Sequence, residues 1–115
     1  MRMWMVNPKI LCRKHLLGEH VETHMFVGSI KKDHKMDGYI TGGLLDVGKL
    51  SSRHDELAKE MIDRGYKHNS PIDQLGKKLI TSDRKINIEE NLKDLRNRCG
   101  ECKRLQEHSL CEEVK

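Results

Sequence analysis

Met1 and Glu22 are the residues with the most specific chemistry to offer in this chain. With Arg2 in second place, Met1 is expected to persist, because bacterial methionine aminopeptidase trims the initiator only before a small residue. After deformylation the chain is then expected to begin with the free α-amine of Met1. Such an amine has a pKa of about 7.7–8.0, against about 10.4 for lysine, so a useful fraction is nucleophilic at neutral pH. Glu22 closes the segment His15-Leu16-Leu17-Gly18-Glu19-His20-Val21-Glu22. On a helix it lines up with His15, with Gly18 or Glu19, and with Phe26. If the N-terminal segment folds back over that helix, amine and carboxylate meet. The pair suits imine chemistry at a sugar carbon, where the amine displaces a leaving group and forms a protonated Schiff base. The carboxylate would stabilise the cation and shuttle protons.

Positioning these groups falls to three predicted helices. Asn7-Pro8 opens the first, asparagine as a cap and proline in the first turn, where its missing N–H costs nothing. From there to about Lys32, Leu17, Val21 and Met25 recur every four residues, widened by Leu16, Val27 and Ile30. Gly18 and Gly28 are poor helix residues and suggest close packing or room for a ligand. Residues 37–43, with three glycines, read as a loop. A second helix starts near Ser51-Ser52, carries Leu57, Ala58, Met61 and Ile62, and stops at Gly65. Residues 72–86 are ambiguous, since Leu75, Leu79 and Ile80 fit either a short helix or an ordered loop. A third helix begins near Asn87, where Ile88, Leu92, Leu95, Cys99 and Cys102 continue an apolar stripe with Gly100 as its weak point.

No stretch alternates as a strand would, and there is no internal repeat. The expected fold is all-α: one domain over residues 1–115, three main helices with an N-terminal arm packed across them. Residues 100–115 could form a separate small knuckle or tail. With 115 residues, 36% hydrophobic and 35% charged, the chain suits helices with one apolar stripe each, and a large buried sheet would be poorly supplied. The net charge of +4 permits nucleic-acid binding without requiring it. No apolar run approaches a membrane span of about 20 residues, and the N-terminus lacks a signal peptide's apolar region. A cytoplasmic protein without membrane contact is expected, its cysteines reduced or metal-bound.

Met1-Arg2 followed by His15-Leu16-Leu17-x-Glu19-x-x-Glu22 and Gly28 resembles the start of the phage pyrimidine-dimer DNA glycosylase/AP lyase family, known as endonuclease V. The second block, Arg53 to Tyr66, is similar to that family's middle helix, including its Arg-Gly-aromatic ending. Met-Arg-x-Trp and Asn7-Pro8-Lys9 strengthen the likeness, which covers residues 1–71. The resemblance implies a compact helical domain whose N-terminus threads between the first and third helices, and DNA bent with a nucleotide flipped out. It implies Met1 as nucleophile, Glu22 as essential carboxylate, and Arg2 and Arg53 as DNA or substrate contacts. His15 becomes an active-site wall or a partner for Glu22. The partner would be double-stranded DNA holding a lesion or abasic site, met by a monomer that needs no cofactor. At the family's DNA-facing arginine positions this chain has Val21 and Met25, which His20 and His24 replace only in part. The aromatic-rich C-terminal loop of the family is also absent.

Cys99 and Cys102, followed by His108 and Cys111, could supply four zinc ligands, although the spacing is tight. As part of the third helix's apolar stripe, the same cysteines would act as small hydrophobes. His54 and His68 are expected in surface or capping roles, and Trp4 as an anchor for the arm. The alternative to an enzyme is a non-catalytic nucleic-acid-binding or phage interaction protein on this scaffold, with zinc at its C-terminus.

Overall fold

A computed structural model describes residues 1–68, 71–72 and 86–114, with side chains in the last helix as far as Glu107. Among these residues every regular element is helical: α1 (Arg13–Lys31), α2 (Asp37–Thr41), α3 (Leu50–Asp63), α4 (Ile88–Arg98) and α5 (Gly100–Val114). Short 3-10 turns at Pro8–Ile10 and Val47–Lys49 precede α1 and α3. The all-α expectation holds. Leu75, Leu79 and Ile80 lie outside the described residues.

Several boundaries differ from the sequence reading, each for a local reason. The stretch that looked like one helix from Asn7 to Lys32 is two, because Leu11 and Cys12 are extended, with ψ of 132° and 167°. Asn7 caps only the short turn, its side chain accepting the Lys9 N–H. The supposed loop at 37–43 contains α2, whose Thr41 hydroxyl bonds back to the Asp37 carbonyl. Helix α3 begins at Leu50, ahead of the two serines, and Ser52 donates to the Lys49 carbonyl rather than capping. The space beside Gly18 and Gly28 is open, so neither is imposed by close packing.

The ends of α3 and α4 follow the sequence closely. Gly65, at φ +85°, reverses the chain after α3 with the paired bonds Gly65 N–H to Ile62 O and Tyr66 N–H to Met61 O. This is the Schellman arrangement, which glycine enters without a Cβ penalty. Asn87 caps α4, its side chain accepting the Glu90 N–H at 3.1 Å. The third predicted helix breaks at Cys99, which is extended (φ −138°, ψ 110°), and resumes as α5.

Two buried apolar clusters hold the elements together. One joins Trp4, Leu11 and Leu16 to Leu57 and Met61 of α3, Leu95 of α4 and Cys102 of α5. The other gathers Met3, Phe26, Val27 and Ile30 with Leu45, Val47 and Leu50. Alternate residues of the N-terminal arm feed both clusters, Met3 one and Trp4 the other. That arm is therefore part of the core.

Between α1 and α3 lies a buried ion pair. Arg53 bonds Glu19 through Nε at 2.6 Å and Nη2 at 2.8 Å, and both side chains are fully buried. Its Nη1 reaches the Val6 carbonyl at 2.8 Å and also bonds Glu56. Burial pushes the Glu19 carboxyl up, opposed by Arg53 and by the Met5 and Trp4 backbone N–H groups. The pair thus grips the arm on both sides of Met5. Met5 sits at φ +58°, a backbone state that costs a non-glycine residue about 1–3 kcal/mol and needs such support.

Candidate active site and two side-chain clusters

The arm runs with Glu22 of α1 on one side and α4 on the other. Glu22 Oε2 accepts the Arg2 backbone N–H at 3.3 Å, one peptide unit from the Met1 amine. Arg2 turns its guanidinium to α4, bonding Asp94 at 2.8 Å and also Asn91, and lies 3.9 Å over the Trp4 ring. Asn91 in turn donates to the Trp4 carbonyl at 2.8 Å. Met3 N–H bonds the Leu44 carbonyl at 2.8 Å. Arg2, Met3 and Trp4 are thus fixed through backbone and side chain alike. A cavity of about 300 Å³ opens here, lined by Arg2, Gly42, Gly43, Leu44 and the Asn87, Glu90, Asn91 and Asp94 face of α4. Val21 and Met25, flanking Glu22 on α1, are exposed at 53% and 49%. The positions where arginines were expected thus offer solvent an apolar edge.

The structure brings Met1, Arg2 and Glu22 together and separates the other anticipated contacts from them. Arg53 is 1% exposed and spends its donors within the protein, so as placed it cannot meet a phosphate. The Arg2 guanidinium is likewise committed to Asp94 and Asn91. His15 pairs with cysteines instead of Glu22. His20 is buried and faces α3, because residues two apart on a helix point in different directions and Glu22 faces the arm. His24 packs its ring 5.0 Å from that of His20 and 4.8 Å from that of His54.

Cys12, His15, Cys99 and Cys102 form the first cluster, their ligand atoms all within 4.8 Å of one another. His15 Nδ1 lies 3.2 Å from Cys12 Sγ and 3.5 Å from Cys102 Sγ, and the Cys12 and Cys99 sulfurs are 3.9 Å apart. Cys12, Cys99 and Cys102 are all free thiols in this structure. Each pair spans the start of a helix in the same way. Cys12 precedes α1 with His15 as its third residue, and Cys99 precedes α5 with Cys102 as its third. The Cys12 N–H donates to Cys102 Sγ at 3.3 Å. Backbone N–H bonding from Cys102 lowers the Cys99 thiol pKa, while burial pushes that of Cys102 up to about 12. Burial also lowers that of His15, helped by Lys14 and Arg98. Cys99 and Cys102 of the expected ligand set meet Cys12 and His15, and the side chains of His108 and Cys111 lie outside the described residues.

A second cluster joins His20, His54 and His68. The sequence suggests surface or capping roles for His54 and His68, yet His54 is 1% exposed and the Gly65 reversal returns His68 to it. Burial, with the neighbouring histidines His54, His24 and His68, depresses His20 to about 4. The signal available in the sequence was that histidines recur at 20, 24, 54 and 68, on either side of two helices that must pack.

The family model of the pyrimidine dimer DNA glycosylases matches residues 1–74, more than half of the chain and the whole of the arm, α1 and α3. The chain belongs to that family. Searches of curated proteins and of solved structures gave no match. Membership assigns it the DNA glycosylase type of function, with DNA as the substrate class. The matched region includes Met1, Arg2, Glu19, Glu22 and Arg53, together with the three histidines of the second cluster. It also holds one half of the first cluster, Cys12 and His15, and ends before Cys99. Among the described residues no helix is long and apolar enough to cross a membrane.

Proposed function

We propose that the protein is a DNA glycosylase with AP-lyase activity, in which the Met1 α-amine is the nucleophile and Glu22 the essential carboxylate. The observation that supports this most directly is the 3.3 Å bond from the Arg2 N–H to Glu22, which keeps the first residue of the chain beside that carboxylate. The amine attacks C1′ of the damaged deoxynucleotide, the C1′–N bond breaks, and the base leaves with a proton. The sugar ring then opens as the C1′–O4′ bond breaks and O4′ takes a proton, and the resulting protonated Schiff base is a cation that Glu22 stabilises at close range. Glu22 then takes the C2′ proton, the electron pair forms the C2′–C3′ double bond, and the 3′ phosphate departs by β-elimination. Water hydrolyses the imine and returns the amine. Arg2, held by Asp94 and Asn91, positions the amine, and the Glu19–Arg53 pair anchors the arm behind it. A pyrimidine dimer is the first lesion to test, with abasic DNA as the simpler substrate.

Borohydride reduction with abasic duplex tests this reading. A covalent adduct is expected on the first tryptic peptide, lost on N-terminal acetylation and reduced by at least about 100-fold in Glu22→Gln. No adduct from a chain with an unblocked Met1 would sink the enzymatic reading and favour a non-catalytic DNA-binding protein.

The cofactor that this chain's cysteines suit is a structural zinc ion, held by Cys12, His15, Cys99 and Cys102. Tetrahedral zinc with Zn–S near 2.3 Å and Zn–N near 2.0–2.1 Å sets ligand edges of about 3.8 Å for S···S and about 3.5 Å for S···N. The 3.9, 3.2 and 3.5 Å separations found here lie close to those edges. Four protein ligands complete the shell, so the ion would fasten the start of α5 to the start of α1 and take no part in the lyase steps. Elemental analysis of the untagged chain should find one equivalent of zinc that survives dialysis and is lost in Cys102→Ser. A folded wild-type protein free of metal would end this assignment.

A further inference from the structure

His20, His54 and His68 place their Nε2 atoms in a triangle with sides of 3.2, 2.9 and 3.3 Å. Three imidazoles in mutual contact are an unusual object for a core. His20 and His54 are buried and could be replaced there by apolar residues of similar size at no polar cost. Shared protons do not account for the contact well. His54 Nδ1 lies 3.0 Å from the Asp55 carboxylate, which can only accept, so the proton of neutral His54 sits on Nδ1 and its Nε2 turns a lone pair into the triangle. Protons cannot pair all three edges of such a triangle, since at least one edge then joins two lone pairs or two N–H groups, whereas a positive centre facing three lone pairs removes that conflict.

Metal geometry provides that centre. Tetrahedral coordination with M–N near 2.0–2.1 Å puts ligand nitrogens about 3.3 Å apart, and the three edges observed are within a few tenths of an ångström of that length. A carboxylate on the far ring nitrogen is the usual second-shell partner of a metal-bound histidine, fixing its tautomer and ring orientation. The fold brings in one ligand from each of three places: His20 from α1, His54 from α3, and His68 from the segment that Gly65 turns back. Three imidazoles without thiolate suit zinc and its neighbours in the first transition row.

We propose that His20, His54 and His68 bind a divalent transition-metal ion of the zinc class, with a coordination position open to the adjoining cavity. That cavity, of about 510 Å³, is lined by His54 and His68 themselves together with Asp55, Lys59, Ser51 and Ile62. Three protein ligands leave the fourth position to water or a small anion, and Lys59 adds a cation on the cavity wall. The site lies on the face of α1 away from Glu22, so it is separate from the amine centre. It is also separate from the cysteine cluster, with which it shares no residue.

Metal titration of the full, untagged chain decides the matter. Zinc-loaded wild type is expected to hold two ions per chain, His68→Gln one and Cys102→Ser one, with His34→Gln unchanged at two. His68→Gln should weaken binding at the histidine site by 100-fold or more. Asp55→Asn, a positioning change that removes no ligand, should weaken it about 10-fold, the low end of second-shell effects because Asp55 is largely exposed. With cobalt in place of zinc, the thiolate charge-transfer band should persist in His68→Gln and vanish in Cys102→Ser. Azide should perturb only the visible bands that His68→Gln removes. A stoichiometry that His68→Gln leaves unchanged would overturn the site, whatever becomes of the cysteine cluster. Bands indifferent to azide would overturn its open position.

Discussion

The two clusters use similar residues to different ends. The cysteine cluster is assembled at two helix starts, with four ligand atoms within 4.8 Å of one another, and it joins the start of α5 to that of α1. The histidine cluster is assembled across the α1–α3 interface, with three donors beside a cavity. The first couples residues beyond the family-matched region to residues inside it, whereas the second lies wholly within residues 1–74. A closed shell makes an ion a fastener and an open one leaves it available to ligands. On this comparison, loss of the first ion should be felt in the fold and loss of the second in ligand binding.

The largest expected effect breaks the comparison at the fastener. Cys102→Ser, or a chelator, should free α5 and expose the 99–107 region to proteolysis, since structural zinc contributes apparent folding energies of order 10 kcal/mol in small domains. Limited proteolysis with and without zinc would read this, and equal cleavage in both states would argue that apolar packing of Cys102 suffices. Next comes Arg53→Met, which strands Glu19 at the interface that the histidine site also spans. A loss of about 3–5 kcal/mol in denaturant unfolding is expected, with Glu19→Leu added to Arg53→Met recovering part of it. Because the pair also grips the arm at Val6, the borohydride adduct should fall in the single variant even where it is folded.

A smaller effect sharpens the open side of the comparison. His68→Gln should remove one metal equivalent yet shift the melting temperature far less than Cys102→Ser, because Glu19–Arg53 and the apolar clusters still join α1 to α3. Equal thermal losses in the two variants would show that both ions are fasteners. The smallest change is Asn87→Ala, which removes the cap of α4 and should cost about 1 kcal/mol without altering metal content. Since α4 carries Asn91 and Asp94, this variant asks whether the Arg2 anchor depends on the start of that helix. A trap yield unchanged despite the lost stability would show that it does not.

Much of this architecture was legible from local chemistry. The Gly65 stop, the Asn87 cap and the all-helical character depend on backbone conformation and side chains a few residues apart, which the sequence lays side by side. Helix starts were read less well. The break at Leu11–Cys12 is hidden because residues 9–17 contain neither glycine nor proline, and a cysteine is an unremarked residue before a helix. His54 and Arg53 were misplaced for a related reason: a charged or titratable residue reads as exposed until its partner is known, and their partners Glu19 and His20 are 34 residues away.

By itself the sequence determined the family, through Met1, Arg2, Glu19, Glu22 and the block from Arg53 to Tyr66, because order and spacing are properties of the chain. It also supplied the two residues of the proposed chemistry, Met1 and Glu22. Tertiary structure alone decided which distant groups meet. Cys12 and His15 come to Cys99 and Cys102 across some 87 residues, and His20 comes to His54 and His68 across 34 and 48. Such contacts depend on how helices pack, a consequence of the whole apolar pattern and of no single motif.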